Sequence, residues 1–223
     1  RVASNKTLLL QLLLDSFSAA AGQSDKDVHL MIGDRGWHWD KRQQLQACPE
    51  LNCAEFDEAD QRMIVAIRHF GAAYPRGGSV IVLTEDTDVC VALTSFHERL
   101  LPPSHKLYVL RGGSNLRLHD VRKAARVIDE KGGDGVHSLL LPMHVLTGCD
   151  TTSGFHGRSK VKAFDCLMKM NKEGTGEAAS VRDALRSAGN EDHVNVTEEA
   201  GHADLSQSFV RGAEKFVCKL YGR

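Results

Sequence analysis

The chain has 223 residues, of which 42% are hydrophobic and 26% charged, and its formal net charge is −1. These values fit one large globular domain, or one domain with a helical appendage. They exclude a globally basic nucleic-acid binder, so any such contact needs a local patch. Six cysteines (Cys48, Cys53, Cys90, Cys149, Cys166 and Cys218) form no C-x-x-C pair. That is too sparse for a disulfide scaffold and points to a reducing, intracellular compartment. Cys48 and Cys53, flanking a Pro-Glu-Leu-Asn segment, could join a zinc site, although no second pair at zinc spacing follows them.

In chain order, residues 4–20 read as an amphipathic helix. The apolar run Leu8–Leu14 is interrupted by Gln11 and ended by Asp15, far short of the ~20 apolar residues of a membrane span. Val28–Ile32 has strand character, with Asp34-Arg35-Gly36 as a turn and Trp37–Leu45 as the returning strand. Residues 58–73 place Ala59, Met63, Ile64, Ala66, Ile67 and Phe70 at helical spacing. Ser79–Thr84 is apolar and β-branched between turn signals, which predicts a parallel, central strand buried on both faces. A helix over Val89–Phe96, a second central strand over Lys106–Leu110 and a short strand over Leu116–Leu118 follow. Helices are expected at about 120–130, 137–146, 159–170, 179–188 and 203–220, with a linker over Asn171–Glu177. Strands alternate with helices to residue 150 and the rest is helical, which predicts an α/β layer with an α appendage.

Three acidic spots stand out: Asp57-Glu58-Ala59-Asp60 at a helix start, Glu85-Asp86-Thr87-Asp88 directly after the Ser79–Thr84 strand, and Asp150 after an apolar helix. Ligands of open α/β sheets bind at the carboxyl ends of strands. Two aspartates at i, i+2 beyond such an end repel each other unless a cation lies between them. Magnesium and manganese take carboxylate oxygens, and a pair of them supports phosphodiester hydrolysis. The helix dipole offers a plainer account of Glu58 and Asp60, and a partial one of Asp86 and Asp88, but a poor one of Asp150.

The ordered phrases Glu58-Ala59-Asp60, Asp86-Thr87-Asp88-Val89 and His144–Ser153, followed by Phe155–Lys160, resemble the acidic motifs of the PIN-like and flap-endonuclease-like nucleases. The match is closer to a mobile-element-associated eukaryotic group with a T-G-C-D-T-T-S phrase, and covers roughly residues 28–170. The resemblance implies a PIN-like three-layer domain with a central, mostly parallel sheet over residues 1–170, and a helical extension over 171–223. It implies Glu58, Asp60, Asp86, Asp88 and Asp150 as catalytic ligands of two Mg2+ or Mn2+ ions, DNA or RNA as partner, and nuclear residence. The family carries an earlier aspartate at the end of its first strand. Asp15 lies in a helix-like run and Asp34 at a hairpin, so that strand is expected upstream of Arg1. Phe56 and Asp57 also depart from the group's usual His and Glu.

Residues 151–172 hold Arg158, Lys160, Lys162, Lys169 and Lys172 against Asp165 alone. Beside Asp150 this is a patch for backbone phosphates, with Arg158, Lys160 and Lys162 as the expected contacts, or else a solvated helix face. Arg62 is placed to pair with Glu58 or to meet a phosphate. His144, in an apolar helix, reads as a core histidine. Thr151 and Thr152 suit phosphate binding or a helix cap. No Ser/His/Asp hydrolase motif and no phosphate-cradling Gly-rich loop is present. The same residues also admit a catalytically inactive module that binds nucleic acid or protein.

Overall fold

The computed structural model describes residues 2–21, 26–32, 34–39, 45–54, 56, 58–149, 152–187 and 202–222. The chain divides into two compact units, Arg1–Gly78 with Leu100–His105, and Ser79–Arg99 with Lys106–Arg223. The fold is α/β, with two three-stranded sheets and eight α-helices among the described residues. One of the two sheets is antiparallel throughout, and the expected central, mostly parallel sheet is not seen among the described residues.

The first unit opens with helix α1 (Val2–Ala21), followed by strands β1 (Val28–Ile32), β2 (Arg35–Trp39) and β3 (Leu45–Ala47). All pairing is antiparallel, in the order β1-β2-β3. Ile32 pairs with Arg35, so the chain reverses earlier than the expected Asp34-Arg35-Gly36 turn, and Gly36 lies inside β2. A 3-10 turn over Pro49–Leu51 and helix α2 (Ala59–Ala73) complete the unit's main elements. Leu8, Leu9, Leu12 and Phe17 of α1 are exposed.

In the second unit, β4 (Ser79–Leu83) runs parallel to β5 (Lys106–Arg111), and β6 (Arg117–Asp120) returns antiparallel. The order β4-β5-β6 puts β5 in the middle and β4 at an edge. Burial alternates along β4: Val82 is buried, whereas Ile81 is 56% and Leu83 69% exposed. The expectation of a central strand buried on both faces therefore fails for β4. A continuous apolar run does not say which face a helix will cover.

Helix α3 (Thr87–Leu100) connects β4 towards β5. Helix α4 (Val121–Gly132) starts where the Asp120 carboxylate accepts the Lys123 N–H at 2.9 Å, a standard N-cap. Val121, Ala125 and Gly132 line its buried face, and Lys123 and Arg126 face out. A 3-10 turn (Val136–Leu139) leads into α5 (Leu140–Leu146), then α6 (Lys160–Glu173), α7 (Gly176–Ser187) and α8 (His202–Leu220). The expected 171–177 linker shrinks to the break between α6 and α7, where Gly174 adopts a left-handed C-cap. Val136, Leu139, Met143, Leu167, Val181, Leu185, Phe216 and Leu220 share one buried core. The expected boundary near residue 170 thus falls inside a single unit, because helices on both sides of it bury their apolar faces together. No helix of the described residues is long and apolar enough to cross a membrane.

Candidate functional site

The parallel ladder of β4 and β5 carries the chain to Thr84, whose N–H donates to the Leu110 carbonyl at 3.2 Å. The Glu85 carboxylate then accepts the N–H groups of Gly112 (3.0 Å) and Gly113 (2.9 Å) in the β5–β6 turn. Those two bonds hold its pKa below the usual glutamate value. Arg111 Nη2 donates to the Glu85 carbonyl at 3.2 Å. Glu85, which the motif reading passes over, is therefore the tether that fixes the end of β4.

Asp86 and Asp88 begin α3. The Asp86 Oδ1 atom accepts the Asp88 N–H at 2.8 Å and so caps the helix. The helix-terminus account of Asp86 thus holds for one of its two oxygens. Asp88 turns to α5, where its Oδ1 lies 3.0 Å from His144 Nε2. The two atoms are in ion-pair range, although His144 Nε2 is off-line for a hydrogen bond. His144 is buried as the sequence suggested, but it also reaches the wall of a cleft.

Lys160, the first residue of α6, closes the other side of the imidazole. Its Nζ lies 3.1 Å from His144 Nδ1 and donates to the His144 carbonyl at 3.1 Å and to the Gly148 carbonyl. An ammonium has three donors and no acceptor, so in this contact His144 Nδ1 is the acceptor. All three Lys160 donors are spent inside the protein rather than offered to a strand.

At the end of α5, Thr147, Gly148, Cys149 and Thr152 make a set of local contacts. Thr147 Oγ1 donates to the Met143 carbonyl at 2.8 Å. Gly148 has φ +102°, and a Cβ there would stand 2.6 Å from Gly154 Cα. Thr152 Oγ1 accepts the Cys149 N–H at 3.0 Å and donates to the Val145 carbonyl at 2.7 Å. Its hydroxyl is a loop brace, nearer to the capping reading than to phosphate binding. Asp150 and Thr151, like Asp57, lie outside the described residues. Thr87, Asp88, His144, Cys149, Thr152 and Lys160 border a cleft of about 610 Å³.

Glu58 and Asp60 belong to the first unit, whereas Asp86, Asp88 and the loop of Asp150 belong to the second. Glu58 is the N-cap residue of α2 without a side-chain cap bond, and Asp60 Oδ1 accepts the Gln61 N–H at 2.8 Å. Arg62 Nε donates to the Phe56 carbonyl at 2.8 Å. In the second unit, the Arg158 guanidinium lies 4.8 Å from the centre of the Tyr221 ring, a cation–π distance, while Lys162 is exposed. A separate cleft of about 460 Å³ is lined by Arg111, Arg117 and His119 with Gly112 and Asn115. Sequence reasoning missed that basic group; the signal was the alternation of Arg117 and His119 on β6. Comparisons with protein families, with curated proteins and with solved structures give no match to this chain.

Proposed function

We propose that this chain is a nucleic-acid phosphodiesterase of the PIN/flap-endonuclease-like kind, cutting DNA or RNA with magnesium or manganese. One observation carries the reading: two separate sequence motifs meet in one cleft at the carboxyl end of β4. Asp88 of the Asp86-Thr87-Asp88 motif lies on one wall, and Gly148 and Cys149 of the Leu146–Thr152 motif lie on another. The assignment to a PIN-like three-layer arrangement belongs to this proposal and rests on the motif resemblance.

The chemistry of the donors fits a hard divalent cation. Asp86 and Asp88 each use Oδ1 within the protein and keep Oδ2 open among the described residues. Asp86 and Asp88 are the described residues that would hold the ion, and the motif resemblance adds Asp150. A bound magnesium or manganese lowers the pKa of its water and neutralises charge on the scissile phosphate. The chain's own part is orientation. His144 Nε2 lies beside Asp88, and Lys160 donates to His144 Nδ1.

The test is incubation with labelled single-stranded, flapped and duplex DNA and RNA, with and without Mn2+. Manganese-dependent cleavage that is lost in Asp88→Asn and Asp150→Asn supports the reading. Absence of cleavage on every substrate, with Mg2+ or Mn2+, sinks it. The second reading, an inactive binding module, is favoured by Asp86 Oδ1 being spent on a cap and by the saturated Lys160 ammonium. It expects metal-independent binding without turnover.

A further inference from the structure

Three potential metal ligands from three distant stretches of sequence meet in the first unit. His29 comes from β1, Cys48 directly precedes the Pro49–Leu51 turn, and His69 comes from α2. Their ligating atoms all lie within 4.8 Å of one another. From this convergence we infer a zinc site formed by His29, Cys48 and His69, with a fourth position open to water or to Glu50.

The geometry suits the ion. Tetrahedral zinc with bonds of about 2.0–2.3 Å separates its ligand atoms by roughly 3.3–3.8 Å, so the three atoms need to close by about an ångström. Two imidazoles bound to one such ion hold their ring centres about 5 Å apart. The His29 and His69 centres are 5.3 Å apart. Mixed nitrogen and thiolate donors select zinc over magnesium or calcium.

The scaffold beneath Cys48 is already fixed. The Cys48 N–H donates to the Gly36 carbonyl at 2.9 Å, and Asn52 Oδ1 accepts the Gly36 N–H at 3.0 Å. A Cβ on Gly36 would stand 2.4 Å from Leu51 Cβ and 2.6 Å from the Cys48 carbonyl oxygen, so only glycine lets the turn lie this close to β2. His38 stacks on His29 with ring centres 4.2 Å apart and planes 8° from parallel, which holds the His29 ring in place. Orientation of this kind is what a ligand histidine ordinarily needs from its surroundings.

Cys48 Sγ lies 3.4 Å from Glu50 Oε2, so the thiol proton lost on zinc binding has an acceptor at hand before it reaches solvent. The ion would clip β1, the Pro49–Leu51 turn and α2 together. No C-x-x-C or H-x-x-H spacing announces the set, which is why the sequence gives no zinc motif.

The test uses the full chain and two probes, Zn2+ alone and Co2+ alone. Zinc is expected to bind at one ion per chain through this site, to raise the melting temperature, and to release a proton. Cobalt is expected to give a tetrahedral d–d spectrum with a thiolate-to-cobalt charge-transfer band. Because Cys149 borders the cleft of Asp88, it is loss of the band in Cys48→Ser that separates this site from any ion there. Cys48→Ser should abolish the band, and His69→Ala should weaken zinc by at least about tenfold. His29→Gln, at an exposed position, should do the same without unfolding the chain, as checked by circular dichroism. No thiolate band in the cobalt spectrum, or unchanged zinc affinity in His29→Gln, overturns the inference. Either result leaves the phosphodiesterase reading untouched, since that rests on the second unit.

Discussion

His144 Nε2 lies 3.0 Å from Asp88 Oδ1, while Nδ1 of the same ring lies 3.1 Å from Lys160 Nζ. A lysine head, an imidazole and a carboxylate thus form a line from the start of α6, through α5, to the start of α3. Such a line does two physical jobs. It satisfies the carbonyls left open at the end of α5, and it orients a carboxylate at the mouth of a cleft.

Lys160→Met tests the first job. The substitution keeps most of the aliphatic stem but removes three donors, leaving His144 Nδ1 and two carbonyls without them. The expected cost is about 1–3 kcal/mol, read as a lower denaturant midpoint at an unchanged slope. The His144 ring should also lose its single tautomer, visible in its nitrogen chemical shifts. A variant as stable as the parent with the same shifts would show that the ammonium does not hold the ring.

Gly148→Ala probes the loop that carries Cys149 and leads to Asp150. Its φ of +102° disfavours any L side chain, and the new methyl would meet the Gly154 backbone rather than a movable side chain. Strain of this kind costs on the order of 1–3 kcal/mol before the overlap is counted. We expect lower stability, and lower cleavage if the chain cuts nucleic acid. An alanine variant with unaltered stability would mean that Gly154 moves aside freely.

The pH dependence of stability has two expected steps. Burial, with His137 and Arg122 as like charges nearby, lowers the His97 pKa; its bond to the Thr94 carbonyl and the Glu98 carboxylate act the other way. His97 therefore binds a proton more weakly when folded than when unfolded. Its stabilising share is intact above the ordinary value of 6.5 and declines as pH falls below it through the folded-state pKa. Glu85, also lowered, keeps its share above the ordinary 4.5 and loses it at more acidic pH. Denaturant midpoints measured across this range should fall in both windows. His97→Gln should shrink the first, to which His29 also contributes, and leave the second. Glu85→Gln should shrink the second, to which Glu50 also contributes, and leave the first.

Much of the local structure was legible because it is local. The β-branched Ser79–Thr84 run became β4, and the apolar spacing of residues 58–73 became α2. What failed depends on partners that sequence spacing cannot name. The same run that identifies β4 as a strand does not reveal that it forms a sheet edge with Ile81 and Leu83 exposed. The Val28–Ile32 reading and the start of the Trp37–Leu45 one found a hairpin, but Leu45 opens the third strand of a separate antiparallel sheet, and residues 40–44 lie outside the described residues. At the site, Asp86 and Asp88 were legible as an acidic pair at a strand end. The inward turn of Lys160 was not, because a lysine in a basic helix looks the same whether its head meets a phosphate or a carbonyl. The His29, Cys48 and His69 convergence was invisible for the same reason, being set by pairing and packing across distant segments.

The C-terminal helices offer the sharpest test of how the second unit is built. The sequence suggested an extension added to a finished domain, yet Phe216 of α8 is fully buried with Val136, Leu139 and Leu167. If that core is shared, Phe216→Ala opens a cavity in the unit itself. Such truncations cost about 3–5 kcal/mol, a large part of the marginal stability of a domain. Val210→Ala, on the same helix but 48% exposed, should stay within about 0.5 kcal/mol. Hydrogen exchange sharpens the comparison. In Phe216→Ala the amides of α6 and α7 should lose protection along with those of α8, because one opening exposes them all. Loss confined to α8 would show that the last helix is only laid upon a core that stands without it.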